Sequence, residues 1–541
     1  MFANSFTLCR FIFRRDWLHS LLWFAGILAL VVGFGSGISA MYPDQTSLDV
    51  MLETLKSPAM VAMIGPAYTN ADGVFTLGAM YSVYMLVWSA IIVGIMNVFL
   101  VVRHTRRDEE HGRIEVIRSL PVGRLSNMSA TLTAAVILNT ALALLIGLGL
   151  GAVGERGMDY AGGLLFGAAI CSFGLAMAGV TAVLCQLNKN PNAAMALSFG
   201  LLTLLYLLCA VGNVQENEPL VAVSLLGLLL QAKIYVDNNW LPVIITLIVA
   251  LALSAVAFYL CSIRDMGEGL IPSRPGRNDA APYLKSAVWL AWRLLRAPFI
   301  IWALVVPVLG IAYGSVMGDL EAFLKTNEIF MQISGGDPMR MASFFLLVMS
   351  ICSAIPVLQY ILKARGQEKR GYAENILARS VSRHSQLGGY YIISIIGAVI
   401  MPVLNAVGFW AGSATVMDNP VPFGKWLLGC VLYTPALLFM TGIAAALIAY
   451  LPRLTGLAWG YLGFSFAVLY LGSLFDIPEW VGKLSPFGHI PVLPKVEGLG
   501  ATATYEISAG ELATLVVMTV LAAILSVLGF IGYRNRDMKF D

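Results

Sequence analysis

The sequence predicts an all-α polytopic membrane protein, with about twelve transmembrane helices arranged as two parallel six-helix repeats. Three observations carry this. Of 541 residues, 58% are hydrophobic and only 12% are charged, roughly half the charged share of an ordinary soluble protein. Apolar runs of roughly 20 residues recur along the whole chain, each long enough to cross a ~30 Å hydrocarbon core as a helix. A charged stretch between two of these runs also returns at an offset of 259 residues.

Six spans are expected near 18–40, 79–102, 128–152, 161–185, 193–213 and 241–261. The first follows a basic amphipathic stretch, "SFTLCRFIFRRDW", without a small-residue cleavage site, so it reads as a retained span rather than a signal. Six more are expected near 297–318, 341–362, 389–412, 424–450, 455–475 and 510–533. The glycine-rich "GLGLG" at 147–151 is expected to let helices pack closely. The outer segments 41–78, 214–240, 319–340 and 476–509 are too long for tight turns. Within them, 57–68 and 223–236 are apolar enough to enter the outer interface, as a gate or as packing caps.

An even number of spans leaves both termini on one side. With the N-terminus inside, the inner segments hold 26 Lys/Arg and the outer segments 8, so cytoplasmic termini are expected. All seven cysteines fall in spans or on the inner side, in no pattern that suggests a disulfide framework or a zinc site.

"RRDEEHGRIEVIRSLPVGR" (106–124) aligns without gaps with "RGQEKRGYAENILARSVSR" (365–383), with seven identities in 19 positions. They pair Arg106 with Arg365, Glu109 with Glu368, Gly112 with Gly371, Glu115 with Glu374, Ile117 with Ile376, Val122 with Val381 and Arg124 with Arg383. Arg-Asp-Met also follows both the sixth span (264–266) and the twelfth (536–538). The expected organisation is a first six-span half at 1–265, a Pro- and Gly-rich cytoplasmic linker at 266–284 and a second half at 285–541. Both halves enter from the same side, so the repeat is parallel.

Ile114, Ile117 and Leu120 recur every three residues, predicting a short amphipathic helix within 107–120 that Pro121 ends. A merely solvated loop needs charge, but not the same glutamates around the same glycine twice. A surface that meets a partner of fixed geometry does. The spans carry almost no ionisable residues, which argues against an ion-coupled carrier, and no G-x-x-x-x-G-K-[ST] motif is present. An external motor is therefore expected, and two similar inner helices suit a motor with two similar subunits.

The segment 106–124 resembles the coupling-helix region of type-2 ATP-binding-cassette export permeases, where an E-x-x-x-G-x-x-E-x-L-x-x-x-P-V-x-R-like pattern follows the second span. Here the glutamates stand three and two residues before the glycine. The doubled architecture, "LSPFGHIPVLP" at 484–494 and "RDMGEGLIPSRPG" at 264–276 resemble the branch of polyketide-antibiotic and multidrug exporter membrane subunits.

The resemblance implies that one chain supplies both permease halves and docks two copies of a cytosolic ATPase. ATP and Mg are then bound by those subunits and no cofactor by this chain. It implies ATPase coupling through Glu109, Glu110, Gly112, Glu115, Ile117, Pro121 and Arg124, and through Glu368, Gly371, Glu374, Ile376 and Arg383. It also implies amphipathic elbow helices, for which 8–17 and 287–297 offer aromatics mixed with Arg.

The two coupling segments differ. Lys369 and Arg370 replace Glu110 and His111, and Ser380 stands at the place of Pro121, so charge reversal at Glu109 and Glu110 is expected to affect coupling more than reversal at Glu368. Met85, Trp88, Tyr206, Met349 and Tyr360 are the candidates for an adaptable apolar substrate cavity. His104, His111 and His384 sit among charged residues and are expected to be solvated.

The expected function is export of hydrophobic or amphipathic compounds, antibiotics first, across a bacterial plasma membrane. Membrane lipids and the small substrate are the other partners, and no nucleic acid is expected. The alternatives are an ATP-driven lipid or glycolipid permease, an ion-coupled secondary transporter, and a membrane scaffold or sensor.

Overall fold

The computed structural model describes all residues except 57, 273–278, 319–337, 418–419, 472–477, 492, 494–505 and 538–541. Among the described residues there is no β-strand, and eleven helices are long and apolar enough to cross a bilayer. The chain is thus an all-α, multi-pass membrane protein. It forms two compact units, Met1–Gly276 and Arg277–Asp541.

In the first unit, α1 (Ser5–Met41) is kinked at Asp16, whose φ of −116° and ψ of 19° leave the helical region. The basic stretch 5–15 therefore joins the span across a bend. Two short helices, α2 (Gln45–Leu55) and α3 (Pro58–Ile64), precede α4 (Leu77–Val102). α4 continues through a π-helical turn, Arg103–Arg107, into α5 (Asp108–Glu110), and α6 (Arg113–Arg118) follows. The unit is completed by α7 (Ser126–Val153), α8 (Tyr160–Leu187), α9 (Pro191–Val214), α10 (Glu218–Val223), α11 (Leu225–Leu230) and α12 (Leu241–Ile263). Helix starts follow from local chemistry: Thr76, Asp159 and Asn190 accept backbone N–H groups in the first turns of α4, α8 and α9.

α8 is the central helix, packed against α4, α7, α9 and α12. Small residues permit this. A side chain at Gly163 or Gly167 would strike the α7 backbone at Gly147 or Ala143. In the same core, Asn97 of α4 and Asn139 of α7 exchange amide hydrogen bonds of 3.0 and 2.8 Å. The apolar 223–236 stretch packs inward through α11, whose leucines are buried against α4 and α9.

The second unit contains α13 (Ala287–Ser315), α14 (Pro338–Lys369), α15 (Tyr372–Leu377), α16 (Arg383–Ala414), α17 (Phe423–Val431) and α18 (Thr434–Tyr450). It continues with α19 (Leu457–Leu471), α20 (Glu479–Gly482) and α21 (Ala509–Asn535). α18 packs against α14, α16 and α21, and α13 crosses α16. Gly310 and Gly314 meet Gly408 and Gly412 at that crossing, too close for a side chain at any of the four.

The span expected at 424–450 is present as Phe423–Tyr450, interrupted at Leu432–Tyr433, where Pro435 cannot donate to the preceding turn. The one expected at 455–475 is described only as the 15-residue α19, since 472–477 lie outside the described residues. Nearly all of the outer segment 319–340 and part of 476–509 lie outside them as well.

Candidate functional site

Both repeated charged stretches turn at their glycine. Gly112 and Gly371 have φ of +69° and +71°, the left-handed region that costs other residues about 1 kcal/mol or more. The single helix expected within 107–120 is therefore corrected to two pieces, α5 and α6, meeting at Gly112. In the second unit α14 ends at Lys369 and α15 begins at Tyr372.

The matched glutamates face inward. The Glu109 carboxylate accepts from Arg106 Nη1 at 2.9 Å, from Arg264 Nη1 and Nη2 at 3.2 and 3.1 Å, and from the Gly267 N–H at 2.8 Å. Arg106 is buried and also donates to the carbonyls of Cys185, Gln186 and Glu268. Arg124 donates to the Arg264 carbonyl at 2.8 Å. The base of the loop is thus tied to the segment that follows α12 and to the last turn of α8.

The second unit repeats this with its own residues. Glu368 pairs with Arg365 at 3.0 Å and with Arg536. Arg536 and Arg365 donate to the carbonyls of Ile448 and Pro452 at 2.8 and 3.1 Å. Arg383 donates to those of Arg534 and Arg536 at 2.8 and 2.7 Å. Buried charges persist only when paired and hydrogen-bonded, and the buried Arg106 and Glu368 each have an ionic partner here. The recurrence of Arg106, Glu109 and Arg124, and of the Arg-Asp-Met triplet, therefore has an internal structural cause. Charge reversal at Glu109 or Glu368 strikes the tie directly.

Beyond the glycine the loop turns outward. Ile114 and Ala373 are buried and anchor α6 and α15. Ile117 and Ile376 are half-buried. Glu110, Glu115, Pro121 and Glu374 are exposed, as are Val116 (69%), Leu120 (59%) and Tyr372 (49%). Exposed apolar side chains flanked by carboxylates form the tip of each segment.

The sequence reading missed a second ionic cluster, at the α1 kink. Asp16 lies 2.8 Å from Arg103 Nη2 and 2.8 Å from His104 Nε2. His104 Nδ1 is 2.6 Å from Arg15 Nη2. Because a guanidinium cannot accept, Nδ1 accepts and the ring proton sits on Nε2, facing Asp16. Asp108 holds Arg15 at 2.9 Å and Arg113 at 2.8 Å. The expectation that His104 is solvated is overturned: it is 1% exposed, because the π turn rolls it toward α1. A lone Asp beside two arginines in a basic stretch was the available signal.

Of the cavity candidates, Met85, Trp88 and Tyr206 belong to the first unit and Met349 and Tyr360 to the second. Met85, Met349 and Tyr360 are buried in the apolar cores of their own units, with Tyr360 stacked on Phe299. Within the first unit Trp88 and Tyr206 meet, their ring centroids 6.1 Å apart, and Trp88 is exposed. Among the described residues no group of three or more His, Cys, Asp or Glu side chains is placed to hold a metal ion.

Comparison with known proteins agrees with this architecture. A family model described as the C-terminal domain of the multidrug efflux system permease Rv1217c matches residues 8–260 and 284–534. The multidrug efflux system permease protein Rv1217c of Mycobacterium tuberculosis strain H37Rv is 29% identical over 557 aligned positions, covering 99% of this chain and 96% of that protein. A transporter subunit of the plasma membrane, rather than an enzyme, is the class these matches support. With eleven helices among its described residues long and apolar enough to cross a membrane, two paired-charge loops and a match running over nearly its whole length, the chain belongs to the family of multidrug efflux system permeases typified by Rv1217c.

Proposed function

We propose that this chain is the membrane subunit of an ATP-binding-cassette exporter of hydrophobic and amphipathic compounds, antibiotics among them. Its two units act as parallel repeats, each presenting one coupling segment to one copy of a cytosolic ATPase that binds ATP and Mg. The same order of helix pairing inside each unit supports the repeat: α1 with α7 as α13 with α16, and α8 with α12 as α18 with α21. The kinked stretch 5–15 and the start of α13 serve as elbows, and both termini are cytoplasmic.

One observation carries the reading. Each loop is rigidly tied at its base to its own unit's last helix and exposes a mixed apolar and acidic tip beyond a glycine turn. A lever needs both features, a surface to be gripped and a stiff link that moves the bundle. ATP-driven closure of the ATPase pair would draw the two tips together and favour the outward-open state, provided cargo binds the two states differently.

The test is a V116D/L120D variant of the permease, expressed in its native host and purified with whatever cytosolic ATP-binding-cassette ATPase the unaltered permease retains. Co-purification of the ATPase and drug extrusion from cells should both fall at least about tenfold, since buried apolar anchors dominate interfaces, while permease yield stays unchanged. Undiminished association, or extrusion that needs no ATPase, would refute the docking role.

A further inference from the structure

Two adjoining cavities run along the seam between α1 and α4. The first, of about 310 Å³, is lined at one end by Asp16, Arg103, His104 and Arg107 and at the other by Trp23 and Phe99. The second, of about 390 Å³, shares His19 and Trp23 with it and continues past Gly26, Ile27 and Ile92. Their combined size lies within the range of small-molecule sites. The seam is open sideways, since Leu22 and Leu30 of α1 are exposed beside it.

The π turn sets the chemistry of the polar end. Phe99, Arg103 and Arg107 follow one another every fourth residue and line the same cavity, while Arg106 points away into its tie with Glu109. Asp16 is already matched by Arg103, with the neutral His104 ring beside it. Asp108 is matched by Arg15 and Arg113. Among the described residues no acceptor holds the Arg107 guanidinium, which leaves an uncompensated cation at the mouth of an aromatic and aliphatic slot. A carboxylate, sulfonate or phosphate on an apolar body satisfies both ends; an ammonium head does not.

We propose that the α1–α4 seam is an entry site for amphipaths with an anionic head, seated at Arg107 with the apolar body along Trp23, Ile27 and Ile92. The proposal rests on the exporter reading and narrows its substrate class. It also predicts one site per chain. At the 259-residue offset, Gly366, Lys363 and Gln367 stand at the places of Arg107, His104 and Asp108. Aligning Trp302 with Trp23 puts the buried Leu295 opposite Asp16, and Trp302 instead donates to Gln359 at 3.0 Å.

The full-length permease in phosphatidylcholine nanodiscs, without ATP or ATPase, is labelled with a photoreactive long-chain fatty acid and, separately, with the matching fatty amine. Saturable acid labelling on 16–30 and 92–107, about one equivalent per chain, is expected, with the amine at least tenfold weaker. R107Q should weaken acid labelling by about tenfold or more, the worth of one charge-assisted hydrogen bond, and R107K should restore most of it. G26L, at a position whose side chain would point into open space, should block the long-chain acid more than a short-chain one.

Competition by phosphatidylglycerol in the disc, but not by added free lauric acid, assigns the site to a membrane phospholipid. The reverse assigns it to a free amphipath. Equal labelling by acid and amine, equal labelling of the second unit, or indifference to R107Q would overturn the proposal. Because the assay needs no ATP hydrolysis, its failure is separable from loss of ATP-driven export.

Discussion

Glu368 and Glu109 are aligned in sequence and share a role, yet their surroundings grade them differently. Glu368 is 1% exposed and is the sole carboxylate recorded against Arg365 and Arg536 among the described residues. Glu109 is 12% exposed, and its partner Arg106 keeps three carbonyl acceptors of its own. Removing one partner of a buried ion pair costs about 3–5 kcal/mol because the other charge is left uncompensated. E368A should therefore lower the melting temperature of the detergent-purified protein more than E109A does. An E368L/R536L double substitution should recover part of the loss, since an apolar pair strands no charge. If E109A proves the more damaging, the ranking by burial is wrong. This order concerns stability alone; the stronger effect on coupling expected from the acidity of the first segment is a separate quantity, because net charge along a strip of sequence does not say which carboxylates face inward.

At the scale of elements, helix contacts in this protein rest on small residues and on a few buried polar pairs rather than on amphipathic stripes. Inside a bilayer, lipid chains are as apolar as leucine, so hydrophobicity alone does not choose which helices touch. Close backbone approach at Gly163 and Gly167 in one unit, and at Gly408 and Gly412 in the other, does. The Asn97–Asn139 exchange adds direction, fixing the rotation of α4 against α7. A double-mutant cycle on N97L and N139L should return a coupling of about 1 kcal/mol, the usual size for a hydrogen bond between membrane helices. Each single substitution should cost more than its share of the double, because it leaves a buried amide without a partner. Strict additivity would mean the pair contributes nothing to choosing the α4–α7 contact.

For the whole molecule, the reading requires both coupling tips to share the cytoplasmic face, with the loop carrying Val223 on the other. All seven native cysteines are buried or half-buried, so introduced thiols at exposed positions can be read against a quiet background. Val116, Asn375 and Val223 are exposed. A membrane-impermeant maleimide should label V223C in intact cells, and V116C and N375C only after permeabilisation. Labelling of V116C and N375C from opposite sides would break the parallel repeat and the two-ATPase scheme with it.

The sequence by itself determined the membrane class, most of the spans, and the recurrence of Arg106, Glu109, Gly112 and Arg124 at a fixed offset, but not that the chain turns at Gly112 and Gly371. The spans and the recurrence are legible because apolar run length acts locally, and because a repeat can be seen without knowing its cause. Only the tertiary structure decided that the repeated glutamates bind Arg264 and Arg536, that His104 is enclosed at the Asp16 kink, and that Met85, Met349 and Tyr360 are core. Those partners lie about 90 to 170 positions apart in the ties. Which of two arginines a carboxylate meets, or which side of a membrane helix faces protein, depends on helix rotation and crossing. In a bilayer, no periodic contrast between oil and water writes that rotation into the chain.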